Sequence, residues 1–183
     1  PEILVLDEPT AMLDPQGRAD IMHILDELQQ HGTTIILVTH HRDEFVNADR
    51  IIRLDNGRIV QSARGNTASI PEMDESGTAQ EDNPIAKSNI ANGASKLTSA
   101  VPIIEIHNLI YQYPNSSKPV LDKLSITINE GETVAITGHN GAGKTTLARL
   151  LCALEQPQSG SITVNTIPVA RQRANGNMQP LKR

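Results

Sequence analysis

The sequence predicts an α/β fold, a mostly parallel sheet flanked by helices with a small antiparallel β-subdomain beside it. Three observations carry this reading. Ile3 to Leu6, Thr34 to Val38 and Thr133 to Thr137 are short, continuous runs of the kind buried on both faces of a parallel sheet. Segments with helical periodicity follow the first and the last of them. Ile104 and Ile106, then Leu124, Ile126 and Ile128, alternate with polar residues, as half-buried antiparallel strands do.

Element by element, the first strand is followed by Asp14, an N-cap, with Pro15 at the first helical position. Ile21, Ile24, Leu25 and Leu28 mark the apolar face of that helix, and Gly32 stops it. Thr34 to Val38 then leads to His40, completing a strand–helix–strand unit. Ile51 to Leu54 and Arg58 to Gln61 flank Asp55-Asn56-Gly57, a strong hairpin signal. Later in the chain Glu130-Gly131 turns into the strand Thr133 to Thr137, which feeds a glycine-rich loop. Leu147, Leu150, Leu151 and Leu154 stripe the next helix, and Gly160 with Ile162 to Val164 suggests a further short strand. After Pro168 the sequence is polar and basic without a period, which predicts a frayed end.

Composition divides the chain into three zones, residues 1–61, 62–100 and 101–183. The middle zone is rich in Ser, Ala, Asn, Gly and acidic residues and has no aromatic. Such a stretch buries too little apolar surface to offset its ordering entropy, so it predicts a mobile linker. At about 39 residues it reaches on the order of 35 Å, enough for the flanking zones to meet. The net charge of −5 argues against bulk nucleic-acid binding, and no nucleic-acid partner is expected. No apolar run approaches 18 residues and no signal-peptide pattern is present, so any membrane link is expected through a partner. The single Cys152 excludes an internal disulfide, fits a reducing compartment and reads as a small hydrophobe after the leucine stripe.

The sharpest chemical signal is Gly138-His-Asn-Gly-Ala-Gly-Lys144-Thr145 between a strand and a helix. Gly138, Gly141 and Gly143 let backbone amides turn toward a phosphate, and the helix aims its positive end at the same place. Lys144 suits the outer phosphates and the Thr145 hydroxyl suits Mg²⁺, whereas His139 reads as a solvent-facing position within the loop. Asp7 and Glu8 close the first strand, where side chains emerge at the carboxyl edge of the sheet. Adjacent carboxylates suit divided labour, one holding Mg²⁺ through water and the other orienting and partly deprotonating an attacking water. His40 ends its strand where an imidazole can meet a terminal phosphate, and Tyr113 before Pro114 can stack on a purine ring. His40, His41 and Glu44 lack the helix-face spacing of a zinc site.

These residues resemble a family. Leu4-Val-Leu-Asp-Glu-Pro-Thr-Ala-Met-Leu-Asp14-Pro, Val38-Thr-His40 and Ala48-Asp-Arg-Ile-Ile-Arg-Leu-Asp-Asn-Gly57 resemble the Walker B strand, D-loop, switch histidine and following hairpin of ABC ATPases. Tyr111-Gln-Tyr113-Pro, Gly131-Glu-Thr-Val-Ala-Ile-Thr-Gly138 and Gly141-Ala-Gly-Lys-Thr-Thr-Leu147 resemble the adenine-stacking A-loop and Walker A of a second copy. The wording is most similar to energy-coupling-factor ATPases, which power uptake of vitamins or of cobalt and nickel ions, here in tandem. The resemblance implies a P-loop NTPase core and the cofactors ATP and Mg²⁺. It implies that Gly138, His139, Asn140, Gly141, Ala142, Gly143, Lys144, Thr145 and Thr146 bind ATP and that Tyr113 stacks on adenine. Asp7 and Thr145 would serve Mg²⁺, Glu8 the hydrolytic water, Asp14 the cross-talk between sites, and His40 the γ-phosphate.

The order of the motifs is inverted relative to one complete copy. Residues 1–61 correspond to the later part of a first nucleotide-binding domain and 101–183 to the earlier part of a second, so the chain reads as an internal stretch of a longer ATPase. Pro1 in place of Met agrees, and no Leu-Ser-Gly-Gly-Gln signature is present. The implied partners are transmembrane transporter subunits and a second ABC nucleotide-binding domain, with the protein peripheral on the cytoplasmic face of the membrane. A rival reading is a soluble tandem ATPase of the ABC-F type acting on ribosomes, echoed by His40-His-Arg-Asp-Glu-Phe45. Such proteins join their copies by a longer, charged helical linker, and the polar, aperiodic linker here favours the transporter. Because Thr34 to Val38 needs a neighbour on its free edge, Thr133 to Ile136 is expected to pair there and bring Asp7, Glu8 and His40 beside Lys144 and Thr145, mimicking a complete site although the two halves would serve different composite sites in the parent protein.

Overall fold

The computed structural model describes residues 1–64 and 101–169. Most of the predicted linker and nearly all of the predicted frayed end lie outside the described residues.

The elements are β1 (Ile3–Asp7), α1 (Pro15–Gln30), β2 (Thr34–Val38), α2 (Arg42–Phe45), β3 (Arg50–Asp55) and β4 (Arg58–Arg64) in the first part of the chain. The second part holds β5 (Pro102–Tyr111), β6 (Leu121–Asn129), β7 (Thr133–Thr137), α3 (Lys144–Leu151), β8 (Ser159–Val164) and β9 (Ile167–Pro168). One sheet has the order β1-β2-β7-β3-β4, with only the β3–β4 hairpin antiparallel. The other, β6-β5-β8-β9, is wholly antiparallel. The fold is α/β, a mixed sheet of mainly parallel strands beside an antiparallel one, as expected of a P-loop NTPase core.

The decisive strand is β7. It lies between β2, with Ile36 beside Val134, and β3, with Ile51 beside Ala135. Strand pairing therefore joins residues on either side of the predicted linker, as the free edge of β2 required. Alternation along these strands makes two cores. Ile36 and Val38, Ile52 and Leu54, and Val134 and Ile136 face one core, shared with Leu147 and Leu150 of α3 and the inner face of the antiparallel sheet. Ile51 and Ala135 face the other side, where they meet Phe45 and Ala48.

α1 begins as its sequence dictates, with the Asp14 carboxylate accepting from the Gly17 amide at 2.8 Å. It ends where Gly32 N donates to Gln29 O at 2.9 Å and Thr33 N to Leu28 O at 3.0 Å, the paired bonds of a Schellman motif. Asn56 and Gly57 both take positive φ, +46° and +75°, as the tight β3–β4 turn requires.

Several expectations are corrected. β1 is half-buried rather than enclosed, because it is the edge strand of its sheet. In α1 only Leu25 is buried and Ile24 is exposed, since the helix touches the sheet along a narrow line. Leu154 and Cys152 are exposed. α3 stops at Leu151 and Ala153 takes a φ of +58°, which ends the helical stripe before Leu154 reaches the core.

Candidate functional site

Three connections converge at the carboxyl edge of the parallel strands. The β1 exit carries Asp7 and Glu8, the β2 exit carries His40, and the β7 exit becomes the glycine loop that opens α3. Side chains from two of these exits meet in a cavity of about 290 Å³ lined by Glu8, Tyr113, Asn140, Gly141, Lys144 and Thr145, with Val120, Gly143 and Thr146 completing the wall.

The glycine loop is held by the other part of the chain. Gly138 has a φ of +147°, and a Cβ there would sit 2.3 Å from the Leu54 carbonyl oxygen at the end of β3. Only glycine permits that approach. The Gly57 amide of the hairpin donates to the Ala142 carbonyl at 3.0 Å, and Ala142 is fully buried. His139 faces solvent as expected, yet it is not idle, because its Nε2 lies 2.9 Å from Asp55 Oδ1 in hydrogen-bonding contact. The hairpin therefore braces the loop by a backbone bond and a side-chain pair.

Lys144 is the buried cation of the site. Its ammonium donates to Gly138 O at 2.9 Å and His139 O at 3.2 Å. An ammonium has three hydrogens, so one remains for an incoming oxygen. On the acidic side, Glu8 adopts a φ of +49°, rare for a residue with a side chain, and its amide donates to Val38 O at 2.8 Å. Its carboxylate faces His40, whose Nδ1 lies 3.2 Å from Glu8 Oε1. An ionised carboxylate only accepts, so with Glu8 ionised this bond needs a ring hydrogen on Nδ1.

Tyr113 is fixed from two directions. Its hydroxyl is 3.1 Å from Thr146 Oγ1, and its ring meets Tyr111 edge-on at 5.0 Å. Tyr111 is itself tied down, donating to Glu155 Oε2 at 2.8 Å, while Arg149 donates to Glu155 Oε1 at 3.0 Å. Burial and the hydrogen bond to the Glu155 carboxylate push the Tyr111 hydroxyl up to about 12. The same bond, and then Arg149, hold the Glu155 carboxyl below its ordinary range.

The structure thus gathers Glu8, Tyr113, Asn140, Gly141, Gly143, Lys144, Thr145 and Thr146 on one wall and sets His40 against Glu8. Gly138, His139 and Ala142 shape the loop from behind. Asp7 ends β1 and Asp14 caps α1; neither lines the cavity. Sequence reasoning missed Asp55 as the partner of His139 and the hydroxyl bond from Tyr113 to the loop helix. The hairpin signature places Asp55 at the turn, but nothing in the linear pattern brings that turn beneath the glycine loop. Among the described residues no cluster of three or more His, Cys, Asp or Glu side chains is arranged to hold a metal ion, and no helix is long and apolar enough to cross a membrane.

Residues 121–182 match the family model described as ABC transporter. A Bifidobacterium longum protein named as an ABC transporter ATP-binding protein is 43% identical, over 98% of this chain and 26% of its own length. A Methanosarcina acetivorans protein named likewise is 31% identical, over 95% of this chain and 32% of its own. One from Methanosarcina mazei is 34% identical, over 89% and 31%. The chain spans about a quarter to a third of the length of these relatives.

Proposed function

We propose that this chain binds ATP with Mg²⁺ in the cavity between Glu8 and Lys144, a reading supported by the match of residues 121–182 to the family model described as ABC transporter; in a whole transport motor the two halves would serve different composite sites. The observation that carries this reading is the meeting of Glu8, Lys144 and Thr145 in one wall although they come from distant stretches of sequence. The loop amides of residues 138–146 and the third Lys144 hydrogen take the phosphates, and Tyr113 offers its ring to the adenine. The donors suit a hard cation, since the Thr145 hydroxyl and the Asp7 carboxylate are oxygen ligands that Mg²⁺ accepts beside phosphate and water. When bound, Mg²⁺ neutralises charge on the phosphates. Glu8 then orients and deprotonates the attacking water, with its carboxylate steadied by His40. Only as an imidazolium, with a hydrogen on each ring nitrogen, does His40 donate to Glu8 through Nδ1 and to the terminal phosphate through Nε2 at once.

The single collinear match to the Bifidobacterium relative over 98% of this chain supports a shared layout. In that layout an acidic-strand segment (1–61), a linker (62–100) and a glycine-loop segment (101–183) follow one another in tandem nucleotide-binding domains. Asp14 then sits at the boundary between composite sites. The names of the relatives support transport over ribosomal action. The Ala11-Met-Leu-Asp14-Pro and Tyr111-Gln-Tyr113-Pro wording supports the energy-coupling-factor type, importing a vitamin or a metal ion through transmembrane subunits from the cytoplasmic face. The charge-stabilising signature motif is absent from the sequence, so this chain alone binds nucleotide without sustained turnover.

The test is calorimetric and thermal. ATP with Mg²⁺ at 100 times its Kd should stabilise the folded chain by about 2.7 kcal/mol. Lys144→Ala should abolish that gain. Equal stabilisation of the Lys144→Ala chain, or steady hydrolysis by the pure 183-residue protein, would contradict the reading.

A further inference from the structure

Behind Glu8 and His40 lies a buried polar cluster outside the lining of the cavity. Glu44, in the short helix α2, has a side chain with no solvent exposure. Its Oε2 accepts from Thr39 Oγ1 at 2.6 Å, and its Oε1 accepts from Thr10 Oγ1. Both threonines are fully buried. Thr39 Oγ1 also accepts from the His41 amide at 3.0 Å, so this one hydroxyl spans the residues on either side of His40. Arg18 of α1 supplies the nearest charge, its Nε 3.8 Å from Glu44 Oε1 without a hydrogen bond.

Burying a carboxylate costs several kcal/mol unless its oxygens are satisfied, and an apolar residue of similar volume often packs as well or better. What an apolar residue cannot do is join two loops. Thr10 stands two residues after Glu8, and Thr39 one residue before His40. We propose that Glu44 is a positioning residue: by holding Thr10 and Thr39 together it sets the Glu8 loop against the His40 loop and thereby keeps the His40 ring hydrogen on Nδ1, facing Glu8. The inference rests on the nucleotide-site reading given above. Through this link the orientation of the water-activating carboxylate and of the imidazole is set by one buried group about a helical turn along the chain from His40.

The experiment is ¹⁵N NMR of the histidine side chains in the 183-residue chain, with His40 assigned by its loss in His40→Gln. In the unchanged protein the His40 ring should be mainly the Nδ1–H tautomer. Thr39→Val, Thr10→Val and Glu44→Met should each shift it to mainly Nε2–H while ATP binding persists. Glu44→Gln, which can accept from one hydroxyl and donate to the other, should restore the Nδ1–H form. Folded Thr39→Val, Thr10→Val and Glu44→Met proteins with an unchanged tautomer would overturn the proposal. Failure of all these variants to fold would overturn it too, by reducing Glu44 to a folding requirement. Lys144→Ala separates the two ideas, because it should abolish ATP binding and leave the His40 tautomer untouched. If Lys144→Ala retained ATP binding while the tautomer shifts occurred, the nucleotide reading would fail and the loop coupling would stand.

Discussion

At the scale of single residues, the site depends on side chains whose partners set their chemistry. Glu8→Gln keeps the shape of the proposed base and removes its basicity. In the proposed parent transporter it should lower kcat by roughly 100-fold or more while nucleotide affinity stays near its original value. Steady-state kinetics beside equilibrium binding checks this, and near-normal turnover at that site would remove Glu8 from the role. Tyr111 offers a cleaner titration. The chain has two tyrosines and no tryptophan, so a Tyr113→Phe protein reports Tyr111 alone by tyrosinate absorbance. Its midpoint should be raised to about 12. Because the folded value lies above the unfolded value near 10, this group's stabilisation is complete below about pH 10. It should then fall as pH rises toward about 12, and Tyr111→Phe should lose that pH-dependent component. A Tyr111 midpoint at the ordinary value would show that its bond to Glu155 does not form.

At the scale of elements, the glycine loop is defined as much by its brace as by its own residues. Gly138→Ala puts a methyl group against the Leu54 carbonyl at a positive φ, so strand end and loop must separate. It should cost on the order of 2–4 kcal/mol in urea denaturation and weaken ATP binding with it; an unperturbed variant would mean the loop is not seated on β3. What the sequence revealed, and what it hid, follows the same division. The glycine loop, the acidic strand end and the Asn56-Gly57 turn were legible because each is a local pattern with a local cause: positive φ, a strand edge, a helix cap. Ile24 and Leu154 were misjudged because periodicity states which side chains share a face, not how wide the covering surface is. α2 is a single turn and too short to show a period, so the burial of Glu44 inside it left no trace in the pattern. Likewise the pairing of His139 with Asp55 spans residues far apart in sequence and exists only once β3 lies beside β7.

For the whole molecule the central feature is that two stretches of chain, 1–64 and 101–169, make one sheet and one cavity. The joint is secured away from the site as well. Arg50 of β3 lies with its Nε 2.9 Å from Glu132 Oε1 and donates through Nη2 to Glu132 Oε2 at 3.2 Å, both side chains being largely buried. Burial draws the Arg50 guanidinium below its ordinary range, against the opposing pull of Glu132. Glu132→Ala should therefore destabilise the protein by roughly 3–5 kcal/mol by stranding a buried charge, and adding Arg50→Met should recover much of it. A denaturant double-mutant cycle measures this, and additive losses would show that the two side chains do not act as a pair.

The claim that these two stretches share a single nucleotide site is tested most directly by replacing Mg²⁺ with paramagnetic Mn²⁺ alongside a non-hydrolysable ATP analogue and recording backbone amide signals. The amides of Asp7 and Glu8 should broaden together with those of Lys144, Thr145 and Thr146, because one cation lies within reach of both stretches. Broadening confined to residues 138–146, with Asp7, Glu8 and His40 unaffected, would contradict it.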